Sequence, residues 1–302
     1  MKMNSLMESW RGFVNETSST RVYKRIILNE LQVVTEEQLK EFPLSKEELE
    51  EIKEWGELEG DPMLLGTGTM GSAYQFGDKV LKITLDEAEA KAAYKIAGKF
   101  HPNVYRVLKV AKRSGKYPED KLRPFIIVYE LVAYPNDGGE LPDEQLQDVV
   151  KSIYNSKENI KYFWVDNFPE VMKKFEDALE KNVDKLVVPE LRYASNEPLI
   201  DSILKYSDMS SKEAQAFKFA WGIVAGFYGK CFHSLENAKE CLNNKKFEYV
   251  NKIASGLSFL MEHGIRFMDL KTTNVMQVDE EPIIIDIGKS AVMGYVDIPK
   301  IS

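Results

Sequence analysis

Asp269, Lys271 and Asn274 fall within six residues of one another, and a second acid, Asp286, follows the apolar run Ile283, Ile284, Ile285 and precedes Ile287 and Gly288. Residues 266–289 read as a tight polar loop, a hairpin through 279–282, and a buried strand that ends in a carboxylate beside a glycine. Two carboxylates and an amide at the tips of one hairpin can share a divalent cation through oxygen ligands. A lysine between them can neutralise a phosphate. The chemistry such a set offers is the handling of a metal-bound phosphate ester.

Such a site needs elements to hold it. Residues 246–263 place Val250, Ile253, Leu257, Leu260 and Met261 on one helical face that runs directly into the Asp269 loop. Upstream, Gly66, Gly68 and Gly71 form G-x-G-x-x-G at the start of a hairpin. A dinucleotide-binding turn needs a helix straight after its glycines. Here a strand, a Gly77-Asp78 turn and another strand follow instead. Glycines in such a loop let backbone N–H groups approach phosphates without a clashing Cβ. Lys82 sits beside Val80, Leu81 and Ile83 in a largely buried strand, where a lysine requires a partner. The helix after it, residues 86–98, offers Glu87 and Glu89. Residues 125–132 form an apolar strand that runs into a loop.

Asp269-Leu-Lys-Thr-Thr-Asn274 resembles the catalytic loop of the protein kinases, and Asp286-Ile-Gly288 resembles their D-F-G. The strand 79–84 is similar to V-A-I-K, and His101-Pro-Asn-Val104 to the family's H-P-N-I. Together with the glycine hairpin and the strand-to-loop passage at 125–132, these motifs occur in the family's order, each on its expected element. The resemblance implies Asp269 as the base for an acceptor hydroxyl and Lys271 near the transferred phosphoryl group. It implies Asn274 and Asp286 as magnesium ligands, and Gly66, Gly68 and Gly71 over the phosphates of ATP. Lys82 would hold the α- and β-phosphates, paired with Glu89, or with Glu87 as the alternative. Tyr129 would stand at the gatekeeper position, the Glu130 carbonyl and Val132 amide would meet the adenine edge, and Asn136 or Asp137 would reach the ribose.

The expected fold class is therefore α+β and bilobal: a small antiparallel sheet with one key helix, then a mainly helical lobe. Residues 1–60 read as a helical prefix packed on the first lobe, 61–132 as the N-lobe, and 133–302 as the C-lobe with the catalytic loop and metal hairpin. Four departures make the chain an atypical relative. Phe267 and Met268 replace the His and Arg before the catalytic Asp, which removes the cation that would pair with a phosphorylated activation loop. Ile287 replaces the Phe of D-F-G. Fourteen residues follow Gly288, so the usual activation segment and peptide-docking helices are not expected. Residues 133–257 are far more than the family places there, and their helical stretches are expected to build the second lobe.

Three functions follow. The first is an ATP- and magnesium-dependent phosphotransferase acting on a hydroxyl, with Ser or Thr of a protein suggested by the position of Lys271. The second is a nucleotide-binding pseudokinase with a structural role. The third is a kinase-fold enzyme that transfers AMP or acts on a small molecule. Residues 4–16 put Leu6, Met7, Trp10, Phe13 and Val14 on one helical face, which also resembles the leader peptides of internal head proteins in T4-like phages. Leu28-Asn29-Glu30 fits the cleavage pattern of those systems, so a phage particle is a second partner and location implied for the N-terminal helix.

Composition narrows these classes. The chain of 302 residues is 44% hydrophobic and 29% charged, the balance of a globular protein with a full core. Its net charge of −8 argues against non-specific binding to nucleic acid or anionic membrane. No apolar run approaches the roughly 20 residues that a membrane helix needs, and the start lacks the long apolar core of a secretory signal. Cys231 and Cys241, without a CxxC pattern, are expected to be reduced thiols in the cytoplasm. Three histidines make a histidine metal centre improbable.

Overall fold

The structure is a computed structural model that describes residues 44–68, 70–99, 102–110, 124–132, 141–156, 163–182, 197–224, 235–278 and 281–301. The leader-like helix, Leu28-Asn29-Glu30, Cys231, His101, Asn136 and Asp137 lie outside these residues.

The chain enters through helix α1 (Lys46–Gly56), whose start follows from its sequence. Ser45 accepts from the Glu48 N–H at 3.2 Å, and Glu48 returns a carboxylate to the Ser45 N–H at 2.8 Å, a reciprocal capping box. Leu49 and Ile52 then face inward. Five strands follow: β1 (Met63–Gly68), β2 (Gly71–Phe76), β3 (Lys79–Thr84), β4 (Val104–Val110) and β5 (Phe125–Glu130), with helix α2 (Glu87–Ile96) between β3 and β4. They form an antiparallel sheet in the order β1-β2-β3-β5-β4.

Because strand side chains alternate between faces, each side of this sheet acquires its own core. Leu81 and Ile83 of β3, with Tyr74, Phe76, Ile126 and Val128, pack under α1. Val107, Phe125 and Ile127 pack against Ala90, Ala93 and Ile96 of α2. Lys82, opposite Ala73 and Ile127 in the ladder, belongs to the face that α2 covers. Alternation alone therefore sends this lysine toward the helix that carries the two candidate glutamates.

Gly71 is required by the close approach of β2 and β3. A Cβ there would stand 2.1 Å from the Ile83 carbonyl oxygen and 2.9 Å from the Thr84 Cα. Gly66 and Gly68 meet no such neighbour. Gly71→Ala is expected to force this end of the ladder apart and destabilise the protein by about 1–3 kcal/mol, read as a lower urea midpoint. Gly68→Ala should change the midpoint little.

The second half is helical, with α3 (Asp143–Asn155), α4 (Phe168–Asn182), α5 (Glu197–Leu204), α6 (Ser211–Val224), α7 (Leu235–Leu242) and α8 (Lys246–Glu262). Phe175, Phe217, Trp221 and Phe247 interlock at its centre, the Phe175 and Phe217 rings stacked at 4.2 Å. The aromatics of this stretch thus serve as core. From α8 the chain passes through β6 (Ile265–Arg266) into the Asp269 loop and a short 3-10 turn at Thr272–Asn274. The hairpin β7 (Val275–Val278) and β8 (Glu281–Ile284) follows, and then β9 (Ala291–Val292), which pairs with β6. The segment beyond it returns to the small lobe. Ile298 is buried, and β10 (Lys300–Ile301) lies parallel to β4, adding a sixth strand to the sheet. An antiparallel five-stranded sheet with one crossing helix, joined to a helical half, is the two-part α+β architecture that the sequence predicts.

Cys241 is disulfide-bonded, contrary to the expected reduced thiols. Cys231 is the only other cysteine in the sequence. Two cysteines without a CxxC pattern leave the redox state of Cys241 open in the sequence. Among the described residues, no helix is long and apolar enough to cross a membrane.

Candidate active site

Asp86 fixes the register of α2. Its Oδ1 accepts from the N–H groups of Ala88 and Glu89 at 2.9 and 3.3 Å, an N-cap that starts the helix at Glu87. At about 100° per residue, Glu87 and Glu89 then point to opposite sides. Glu87 faces outward and pairs with Lys91 at 3.0 Å. Glu89 turns under the sheet, its side chain 3% exposed, and meets Lys82 Nζ at 2.5 Å. Lys82 is therefore paired with Glu89 and not with Glu87.

The same ammonium donates to Asp286 Oδ1 at 2.6 Å. Burial presses the Lys82 ammonium down, but Glu89 and Asp286 outweigh it and hold the pKa above the usual lysine value. Burial lifts the Glu89 carboxyl above its ordinary range against the opposing pull of Lys82. Tyr129 stands against this cluster. Its hydroxyl is buried with no hydrogen-bond partner among the described residues, and burial, with the Glu89 and Asp286 charges, pushes its pKa well up.

Asp286 adopts φ +51°, a left-handed conformation that is costly for a residue with a Cβ. Gly288 leaves room beside this turn: a Cβ there would come within 3.1 Å of Asp86 Oδ2. Lys289, also left-handed at φ +57°, gives its N–H to that oxygen at 3.1 Å. Asp86, which carries no motif, thereby ties the start of α2 to the turn behind Asp286.

The second group sits on the adjacent hairpin. The 3-10 turn is closed by the Asn274 N–H on the Lys271 carbonyl, and the Ile285 N–H binds the Asn274 carbonyl, both at 2.8 Å. This hydrogen bond places Asn274 beside the strand end that carries Asp286. Buried Asn274 donates through Nδ2 to the Asp269 carbonyl at 2.8 Å, so its amide oxygen faces away from that carbonyl. Asp269 itself is partly open. Its Oδ2 lies 3.5 Å from Lys271 Nζ and 3.6 Å from Lys289 Nζ. Lys289 is a neighbour of Asp269 that the motifs do not mark.

One amide and one carboxylate are a sparse metal set, and no group of three or more His, Cys, Asp or Glu gathers among the described residues. Magnesium is commonly held by one or two carboxylates plus the oxygens of a bound phosphate. Asn274 and Asp286 fit that mode.

The backbone of the Asp269 loop is braced by α3. Tyr154 Oη accepts from the Phe267 N–H at 2.8 Å and donates to the Phe267 carbonyl at 2.7 Å. Gln147 Nε2 donates to the Leu270 carbonyl at 2.6 Å, and Asp143 Oδ1 accepts from the Thr272 N–H at 2.7 Å. Positions 143, 147 and 154 lie on one helical stripe. Where the related motif has His, Phe267 is fully buried, and Leu270 with it. Burial pushes the Tyr154 phenol up to about 12 despite the opposing Phe267 hydrogen bond and the nearby Arg266. Tyr154→Phe would strand both backbone groups of Phe267. It is expected to cost about 1–3 kcal/mol in urea unfolding, whereas Gln147→Ala should change the midpoint less.

The remaining expected residues lie further along the sheet. Glu130 is opposite Lys79 at the far end of β5; its N–H donates to the Asn103 carbonyl at 2.8 Å and its carboxylate accepts from Asn103 Nδ2 at 3.0 Å. Val132 follows, half-buried. Gly66 and Gly68 line β1, and the hairpin tip beside Gly71 is held to the end of β3 by the Leu85 N–H on the Met70 carbonyl at 2.7 Å. A cavity of about 480 Å³ between α4, α7 and the start of α8 is lined by none of these residues.

No protein-family model matches this chain, and no curated protein does. Among solved structures, the streptomycin-ATP-APH(2")-IIa ternary complex is similar at 12% identity, over 82% of this chain and 72% of its own, with a TM-score of 0.23. That superposition is too loose to transfer any property.

Proposed function

We propose that this protein is an ATP- and magnesium-dependent phosphotransferase of kinase-like fold, moving a γ-phosphoryl group to a hydroxyl. One observation carries the reading: Lys82 Nζ lies between Glu89 at 2.5 Å and Asp286 at 2.6 Å, although Asp286 is 204 residues away in sequence. A half-buried lysine balanced between two carboxylates is poised to exchange one of them for a phosphate. Asp269 and Lys271 on the neighbouring loop supply a carboxylate for the acceptor proton and a cation for the group in transit.

In this reading the glycine hairpin covers the phosphates, while Glu130 and Val132 meet the base. Asn274 and Asp286 would hold magnesium, which when bound would neutralise charge on the phosphates. Asp269 orients the hydroxyl and takes its proton, and Lys271 stays with the γ-phosphoryl group. A Ser or Thr side chain of a protein is the acceptor we assign, from the position of Lys271 two residues after the base.

Incubation with γ-labelled and, separately, α-labelled ATP plus magnesium tests this. Transfer of γ label that Asp269→Asn abolishes is the expected result. Transfer of α label would replace the reading with AMP transfer, and tight nucleotide binding without transfer would replace it with a pseudokinase.

A further inference from the structure

Lys95, half-buried at the C-terminal end of α2, belongs to no motif, yet it reaches across to the large lobe. Its ammonium donates to the Met293 carbonyl and, at 3.4 Å, to that of His263. His263 caps α8, and the carbonyls that close a helix carry the negative end of its dipole, a favourable place for a cation. Gly264, at φ +71°, leaves room for the ammonium: a Cβ there would stand 3.1 Å from Lys95 Nζ. The Met293 N–H closes the socket on the Gly264 carbonyl at 2.8 Å.

Both sides of this socket matter to the site. α8 runs straight into the Asp269 loop, and Met293 lies on the segment that follows Asp286. That segment also grips the other end of α2, through the Lys289 N–H on Asp86 Oδ2 at 3.1 Å and the Ser290 hydroxyl on the Ala88 carbonyl at 3.5 Å. The helix that carries Glu89 is thus fastened at both ends to the stretch that carries Asp286.

We propose that Lys95 is a positioning residue that seats α2 on the end of α8 and so fixes Glu89 beneath Lys82. The ion pair then stands assembled together with the catalytic loop and needs no phosphorylated segment to complete it. This rests on the nucleotide reading above, and the test separates the two.

Magnesium-ATP affinity is measured by calorimetry for wild type, Lys82→Met, Lys95→Ala, Lys95→Arg, Glu89→Gln and the Lys95→Ala/Glu89→Gln pair. Lys95→Ala is expected to weaken binding about 10-fold, a usual size for coupling between sites, and Lys95→Arg to retain most of it. Because Lys95 acts through Glu89, the double variant should bind no worse than Glu89→Gln alone. A purely structural contribution would instead multiply with it. Wild-type affinity in Lys95→Ala, or losses that multiply, would overturn the inference while Lys82→Met remains defective. Unchanged affinity in Lys82→Met would remove the nucleotide reading and this inference with it. Should Lys95→Ala not fold, Lys95→Met keeps the aliphatic stem, removes the donor from the socket, and is judged by the same outcomes.

Discussion

Asp269→Asn is expected to lower γ-phosphoryl transfer by about 10²–10⁴-fold, the usual contribution of a positioned base, while leaving the KM for ATP where it is. Asn fills the same volume and keeps one acceptor oxygen, so the loop should hold its shape. The Asp269 carbonyl, which receives Asn274 Nδ2, is untouched by the change. What disappears is the group that can take the hydroxyl proton. An effect on kcat with none on ATP binding marks an interaction made only as the phosphoryl group moves.

The variant should also fold as well as the wild type. The Lys271 and Lys289 contacts of Asp269, at 3.5 and 3.6 Å, are long and partly solvated, and such pairs contribute no more than about 1 kcal/mol. A fall in transfer matched by a fall in melting temperature would mean that Asp269 holds the loop together. Undiminished transfer would remove it from the role of base.

Much of this geometry is legible in the sequence because it is local. The alternation Val80, Leu81, Lys82, Ile83 fixes which face of β3 carries the lysine, and Ser45 with Glu48 marks the first turn of α1. The helical run from Val250 to Leu260 delivers the Asp269 loop, and its apolar spacing is explicit. The choice between Glu87 and Glu89 is harder, since it hangs on one N-cap, Asp86, whose side chain also serves a turn 203 residues away. The braces are not legible at all. Tyr154 meets Phe267 across 113 residues and Lys95 meets Met293 across 198; each is an ordinary polar residue on an amphipathic helix until the lobes are packed. The return of Lys300–Ile301 to β4 belongs to the same class, because a two-residue segment fits any exposed strand edge. Gly71 carries a second constraint that the motif does not express: the spacing of β2 and β3 alone already demands a glycine there.

Lys82→Met is expected to cost about 3–5 kcal/mol of stability, the usual result of removing one member of a buried ion pair, and to abolish magnesium-ATP binding. Glu89 would be left under the sheet with its side chain 3% exposed and no cation, and Asp286 would lose the same donor. The loss should depend on pH in a definite direction. In the wild type, burial already lifts the Glu89 carboxyl above its ordinary range, with Lys82 opposing the rise. A carboxyl raised on folding contributes stability that is fully present below its unfolded pKa and is lost as pH climbs through the folded one. Without Lys82 the folded value rises further, so more stability is lost between acid and neutral pH. Lys82 itself, raised above 10.5, keeps its contribution until the medium is more alkaline than that. Urea unfolding of both proteins at about pH 4.5 and about pH 7.5 should therefore show the smaller gap in acid. Adding Glu89→Gln to Lys82→Met should recover much of the neutral-pH loss, since it removes the stranded charge, yet leave nucleotide binding absent. Equal gaps at the two pH values would mean that Glu89 is not buried as a charged partner of Lys82, and the site described here would lose its centre.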